Sequence, residues 1–291
     1  MRILRWDELA TFSIGPLLRS GLVILVFAWS PARAVGAMET LPADNYVRII
    51  EQRQDSMVTL VAQMTNCTEA TITCELTLTN AIASHQLPLT LDTAGRDRVE
   101  IVIIQRLNPR LYWGYSYKCR WRQGRRSSLR KSDFVYSFPY QGGPFRVVQG
   151  YLGKFSHGAG SGNEHAIDWR MPSGTRICAA RGGVVTGIRQ DSDVGGSDPK
   201  YKSCGNYIVI KHDDGTFAEY AHLARESALV NLGEKIAPGQ TLALSGNTGF
   251  SRGPHLHFAV FVTIDGNTRA TMPVRFQTPQ GDLILEEGKD Y

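Results

Sequence analysis

The sequence has no apolar run long enough to cross a bilayer, no C-x-x-C pair, no internal repeat and no low-complexity tract. Each absence closes a class of function. The longest apolar stretch near the start, Gly21 to Trp29, falls short of the roughly 20 residues that a membrane helix needs. Without C-x-x-C spacing there is no zinc ribbon, so the five cysteines are assigned no metal role. Ser245-Gly246 lies outside a nucleophile-elbow G-x-S-x-G frame and no base is adjacent in sequence to Cys178 or Cys204, so a serine or cysteine hydrolase has little support. Lys211 is followed by His212-Asp213-Asp214, which is not the hairpin lysine of a lipoyl- or biotinyl-type carrier. Helical periodicity is scarce as well: only Leu223 to Asn231 is helix-compatible, for one or two turns.

What is present is the composition of an ordinary globular protein, 42% hydrophobic and 20% charged over 291 residues, long enough for two domains. Arg2, Arg5 and Arg19 precede the apolar run, and Pro31 with Ala32-Arg33-Ala34 or Val35-Gly36-Ala37 follows it. This reads as a signal peptide over residues 1–37 and an exported protein, of the periplasm, cell envelope or extracellular space. The lead-in carries Asp7 and Glu8, so an uncleaved anchor or a misassigned start stays open.

Residues 38–137 alternate apolar and polar positions in short stretches, such as Val99, Ile101 and Ile103 after the turn Gly95-Arg96-Asp97. They predict an all-β, Ig-like sandwich. Aromatic, Gly and Pro residues between Tyr136 and Pro144 mark a boundary, with a linker over 138–150. A second, strand-rich domain follows over 151–275, an antiparallel sheet sandwich or partly open barrel, and then a tail over 276–291. Cys67 and Cys74 are spaced to close a small loop, with Cys119 as a competitor for either.

Five of the seven histidines fall in three polar islands: His157 with His165 and Asp168, His222 after Glu219-Tyr220-Ala221, and His255-Leu256-His257. On a strand, positions i and i+2 share a face, so His255 and His257 present paired imidazoles. A metal hydrolase needs such a set: three N/O ligands with an open position, and free imidazoles to handle protons.

The stretch from Glu164 to Phe261 resembles the lysostaphin-type (LytM-like) zinc endopeptidases of bacterial cell walls. The matching words include Ala166-Ile167-Asp168, Asn206-Tyr207-x-Val209-Ile210, Tyr220-Ala221-His222-Leu223, Ser245-Gly246-Asn247-Thr248-Gly249 and Gly253-Pro254-His255-Leu256-His257-Phe258, in order over about a hundred residues. The resemblance implies hydrolysis of peptide bonds in peptidoglycan, one Zn2+ ion, Asp168 and His257 as ligands, and His222 and His255 as catalytic imidazoles that assist water attack and stabilise the oxyanion. It also admits an inactive wall-binding or amidase-activating module.

The first ligand departs from the His-x-x-x-Asp pattern of these enzymes. Glu164 stands four before Asp168 and His165 three before it, where a regular strand would turn His165 to the opposite face. His157, in the loop Ser156-His157-Gly158-Ala159-Gly160-Ser161-Gly162, is the favoured candidate because such a loop can fold back, and similar Ser-His-Gly segments precede the aspartate strand in a subgroup of relatives. His165 and Glu164 remain alternatives. A net charge of +5 and the basic cluster at residues 120–131 (Arg120, Arg122, Arg125, Arg126, Arg130, Lys131) point to anionic wall polymers or a membrane surface as partners rather than nucleic acid; a solvated hairpin tip is the bland equivalent. A monomer is expected. The long segment 190–204 is either a loop that occludes the site or a mobile hairpin tip.

Overall fold

Apolar–polar alternation resolves into strands almost throughout the computed structural model, which describes residues 35–40 (backbone only), 47–65, 67–127 and 133–291. Residues 1–34 of the expected signal peptide, and Arg130 and Lys131 of the basic cluster, lie outside these residues. Among the described residues no helix is long and apolar enough to cross a membrane.

The N-terminal strands are β1 (Val35–Thr40), β2 (Val47–Gln54), β3 (Met57–Met64), β4 (Ala70–Thr79), β5 (Ala81–Ala83), β6 (Leu89–Asp92), β7 (Arg98–Arg106) and β8 (Gly114–Gln123). They form two four-stranded sheets, ordered β1-β8-β4-β6 and β2-β3-β7-β5. Val58, Leu60, Ile101 and Ile104 from one sheet and Ile72, Tyr115 and Tyr117 from the other share a buried core, as a sandwich requires. Of the pairings left open by the sequence, the structure has Cys119 as the partner of Cys74. The two stand directly opposite on β4 and β8, whereas Cys67 is buried in the segment between β3 and β4, where its backbone forms a β-bridge with Gly187.

The second half contributes β9 (Val135–Tyr136), β10 (Arg146–Gln149), β11 (Ile167–Arg170), β12 (Arg176–Cys178), β13 (Gly183–Arg189), β14 (Gly195–Gly196), β15 (Tyr207–Lys211), β16 (Phe217–Ala221), β17 (Lys235–Ile236), β18 (Thr241–Leu244), β19 (Gly249–Phe250), β20 (His255–Thr263), β21 (Arg269–Thr271), β22 (Arg275–Thr278) and β23 (Gly281–Leu283). Its main sheet runs β10-β11-β20-β16-β15-β13-β17, with β21 beside β20. Ile167, Trp169, Leu256, Phe258, Val260, Ile208, Ile210 and Tyr220 face one core. Ile177, Leu242 and Ala243 of the β12–β18 pair, and Tyr136 and Phe276 of the β9-β22-β23 sheet, cover it. Residues 276–291 are built into this layer, with Phe276 and Leu285 buried. The helix-compatible segment 223–231 is not helical, because its amides at Ala224 and Leu229 bond across to the carbonyls of Leu244 and Leu242. The one described helix is a 3-10 turn at Pro199–Cys204.

The opposite face of the main sheet is divided between two uses. Tyr207, Val209, Phe217 and Phe261 on that face join the core of the N-terminal sandwich, each contributing about 2 kcal/mol by removal from water. Gly187 allows the approach: a Cβ there would stand 2.3 Å from the Gln123 side chain. Lys211 pairs with Glu69 at 2.6 Å, the Thr68 amide donates to the Thr186 carbonyl, and the Gly266 amide donates to Thr73 Oγ1. The basic cluster is partly consumed here and nearby, since Arg120 and Arg122 donate to Asn267 and Arg126 pairs with Asp92.

The Cys74–Cys119 bond spans 45 positions, and the loop entropy it removes from the unfolded chain is worth about 4 kcal/mol. Replacing both cysteines by alanine should lower the urea midpoint accordingly; a loss below about 1 kcal/mol would contradict its structural role.

Candidate metal centre and active-site groove

The remaining part of the outward face, next to the docked sandwich, carries the predicted residues. Antiparallel pairing sets Asp168 on β11 opposite His257 on β20, and Arg170 opposite His255. Because Ile167, Trp169, Leu256 and Phe258 take the core side, strand alternation leaves these four on one face. The next strand ends at Ala221, opposite His257, and His222 follows with φ +64. That left-handed backbone turns the chain so that the His222 ring stands 4.4 Å from that of His255 and 5.9 Å from that of His257.

His157 arrives from the loop between β10 and β11 and is fully buried. Its Nε2 lies 3.4 Å from Asp168 Oδ1 and 3.4 Å from His257 Nδ1, while His257 Nδ1 is 2.8 Å from Asp168 Oδ1. These three ligand atoms lie within 4.8 Å of one another. Burial alone would raise the Asp168 carboxyl, but hydrogen bonds from His157 and His257 hold it well below the usual carboxylate range. Burial likewise disfavours a charged His157, and Asp168 overrides it, raising the imidazole. Asp168 is thus a buried carboxylate stabilised by the imidazoles hydrogen-bonded to it.

The alternatives for the first ligand are directed elsewhere. His165 Nδ1 donates to the Thr271 carbonyl at 2.9 Å and its ring packs on Tyr151. Glu164 accepts from the Gly160 amide at 2.8 Å and from Thr271 Oγ1 at 3.3 Å. Residues 163–166 form a turn, with the Ala166 amide on the Asn163 carbonyl, so counting by twos back from Asp168 leaves the strand before it reaches either residue.

The ring nitrogens follow from their partners, since a carbonyl can only accept. His157 Nδ1–H donates to the Gly150 carbonyl at 3.1 Å, His222 Nδ1–H to that of Thr248 at 2.6 Å, and His255 Nδ1–H to that of Gly253 at 2.8 Å. With Nδ1–H so engaged, a neutral ring carries its lone pair on Nε2. Burial, with His255 and His257 as neighbours, pushes His222 down to about 3, so it is neutral at physiological pH.

Sequence reasoning missed Gln149, the residue that ties the site together. It stands opposite Asp168 in the β10–β11 register, and its Nε2 donates to Asp168 Oδ2 at 3.0 Å and to Ser156 Oγ at 2.8 Å. Its Oε1 accepts from the amides of Phe155 and Ser156 at 3.0 and 3.1 Å, fixing the loop that delivers His157. A carboxamide bears no charge and has no motif, so only the pairing of β10 with β11 exposes it.

The site opens into a groove of about 1640 Å³. Trp121 and Arg122 of the sandwich, the Phe155 and Phe250 rings, and the 3-10 turn line it along with Asp168, His222, His255 and His257. Segment 190–204 is neither a plug nor a loose tip: β14 pairs with β19, Asn206 bonds both the amide and the carbonyl of Ser192, and Pro199, Lys202 and Ser203 form a groove wall. Gly249, at φ +82, permits this, since a Cβ would sit 2.6 Å from Gly205 Cα.

Gln149→Leu keeps the volume but removes the bonds to Asp168 and to the His157 loop. Metal affinity, read by chelator competition, should fall about 10- to 100-fold; unchanged affinity would show that Gln149 plays no part in holding the site.

Residues 162–271 match Peptidase family M23, a span that contains Asp168, His222, His255 and His257 but begins after His157. Peptidoglycan DD-endopeptidase ShyA of Vibrio cholerae is 38% identical over 98 residues, 34% of this chain and 20% of that protein. Lysostaphin of Staphylococcus simulans is 29% identical over 157 residues, 54% of this chain and 29% of that protein, so the chain corresponds to a minor part of either relative. The crystallised catalytic domain of lysostaphin shares 25% identity, covering 43% of this chain and 84% of that domain with a TM-score of 0.30. Order, spacing and the family match agree: residues 162–271 form a peptidase family M23 domain.

Proposed function

We propose that this chain is a zinc-dependent endopeptidase that hydrolyses peptide bonds of bacterial cell-wall peptidoglycan, outside the cytoplasm. The observation that carries the reading is the convergence of His157 Nε2, Asp168 Oδ1 and His257 Nδ1 beside two further imidazoles in an open groove. The relatives named as peptidoglycan endopeptidases support the substrate class.

The donor set fits the metal. Two imidazole nitrogens and one carboxylate oxygen match a catalytic zinc site that keeps a position open. The Gly150 carbonyl on His157 Nδ1 and the Gln149 amide on Asp168 Oδ2 are the outer partners such ligands require. When bound, zinc would supply Lewis acidity toward water and the peptide carbonyl.

The chain's own residues do the rest. His222 and His255, each anchored at Nδ1 by a carbonyl, offer Nε2 to the groove. One takes the proton of the attacking water as the C–O bond forms. The other, with a proton on Nε2, donates to the oxyanion, and the proton taken from water passes to the leaving amine as the C–N bond breaks. The sandwich, fixed against the same sheet, serves as one wall of the groove. A module that only bound the wall would have no use for this arrangement of donors.

His257→Ala should abolish zinc binding and hydrolysis together. His222→Ala should retain zinc and lose at least about 100-fold in turnover. Metal analysis, paired with mass analysis of peptides released from purified peptidoglycan, reads both. Full turnover by the His222 variant would contradict its role.

A further inference from the structure

Arg170, Lys202 and Arg252 line the groove and are exposed. The other charges of the groove are already taken. Arg269 pairs with Glu219 at 2.7 Å, and Arg122 donates to the Asn267 carbonyl. Asp168 is held by His157, His257 and Gln149, and Glu164 by Gly160 and Thr271. Among the described residues, no carboxylate stands at ion-pair distance from Arg170, Lys202 or Arg252, although nearby Arg189, Lys200 and Arg225 each have one.

The segments that carry these cations also build the site. Arg170 is two residues beyond Asp168 on β11 and opposite His255. Arg252 lies in the turn from β19 to β20, three residues before His255. Lys202 belongs to the 3-10 turn of the groove wall. Two of them are held by rings rather than by anions: the Arg252 guanidinium is 3.7 Å from the Phe155 centroid and the Lys202 ammonium 5.7 Å from that of Phe250. The two rings stack at 5.3 Å. A ring face orients a guanidinium without consuming its N–H donors, so the fork that binds a carboxylate in two places stays available.

We propose that this rim selects peptides bearing a free carboxylate close to the cleaved bond, with Arg252 and Arg170 as the carboxylate-binding residues and Lys202 adding charge beside them. The inference rests on the peptidase reading and names the substrate chemistry of that site. A peptide of uncharged residues gives these groups nothing to bind.

The test uses the zinc-loaded full chain and two synthetic peptides that differ only in a carboxylate or a carboxamide on the residue flanking the scissile bond. The readout is the ratio of kcat/KM for acid over amide, which does not depend on the fraction of folded enzyme. The wild type should favour the acid by about tenfold, chiefly through KM, and raised salt should compress the ratio. Arg252→Gln and Arg170→Gln should each bring it toward one, Arg252→Lys should retain part of it, and Lys235→Gln, on β17 away from the groove, should leave it unchanged. Equal use of both peptides by the wild type, or a preference that survives in the Arg170→Gln/Arg252→Gln double variant, overturns the proposal while leaving the peptidase reading intact. Failure to cut either peptide or peptidoglycan itself overturns both.

Discussion

The antiparallel register between β11 and β20 is the constraint on which the site depends. It places Asp168 against His257 and Arg170 against His255, while the residues between them, Ile167, Trp169, Leu256 and Phe258, are sealed in the core. A slip of one position would send the carboxylate and imidazoles into that core and the apolar set to water. The packing that stabilises the domain therefore also fixes which side chains meet. Gln149 extends the same logic by one strand, since β10 pairs with β11 and its carboxamide fastens both Asp168 and the loop carrying His157.

A second consequence follows from how the sheet face is shared. Its far portion, with Tyr207, Val209, Phe217 and Phe261, is covered by the N-terminal sandwich, and the portion left open carries the polar residues. The sandwich thus supplies both the cover for an apolar surface and, through Trp121 and Arg122, a wall of the groove. Segment 190–204 forms another wall by a similar economy, held by backbone pairing of β14 with β19 where glycines let the strands approach closely.

Much of this was legible in the sequence because strand alternation is a short-range rule. His255 and His257 two apart on an apolar strand, and a glycine-rich loop able to return His157 to the strand, follow from local spacing. Glu164 and His165 show where the rule stops, because the turn at 163–166 breaks the phase before β11 begins. The partner of Cys74 was not legible for the opposite reason: Cys67 is nearer along the chain, but only the β4–β8 pairing brings Cys119 beside it. Gln149, the docking of the sandwich and the ordering of 190–204 likewise depend on contacts between distant segments, and the segment 223–231 reads as helical until its amides find the carbonyls of β18.

The central claim is that one cation is gripped by His157, Asp168 and His257 together. Anomalous diffraction at the zinc edge from crystals of the zinc-loaded protein tests it most directly. The account predicts a single peak in the groove within bonding distance of His157 Nε2, an Asp168 carboxylate oxygen and His257 Nδ1. A peak bound instead by His165 or Glu164, or no peak in the groove at all, would contradict it.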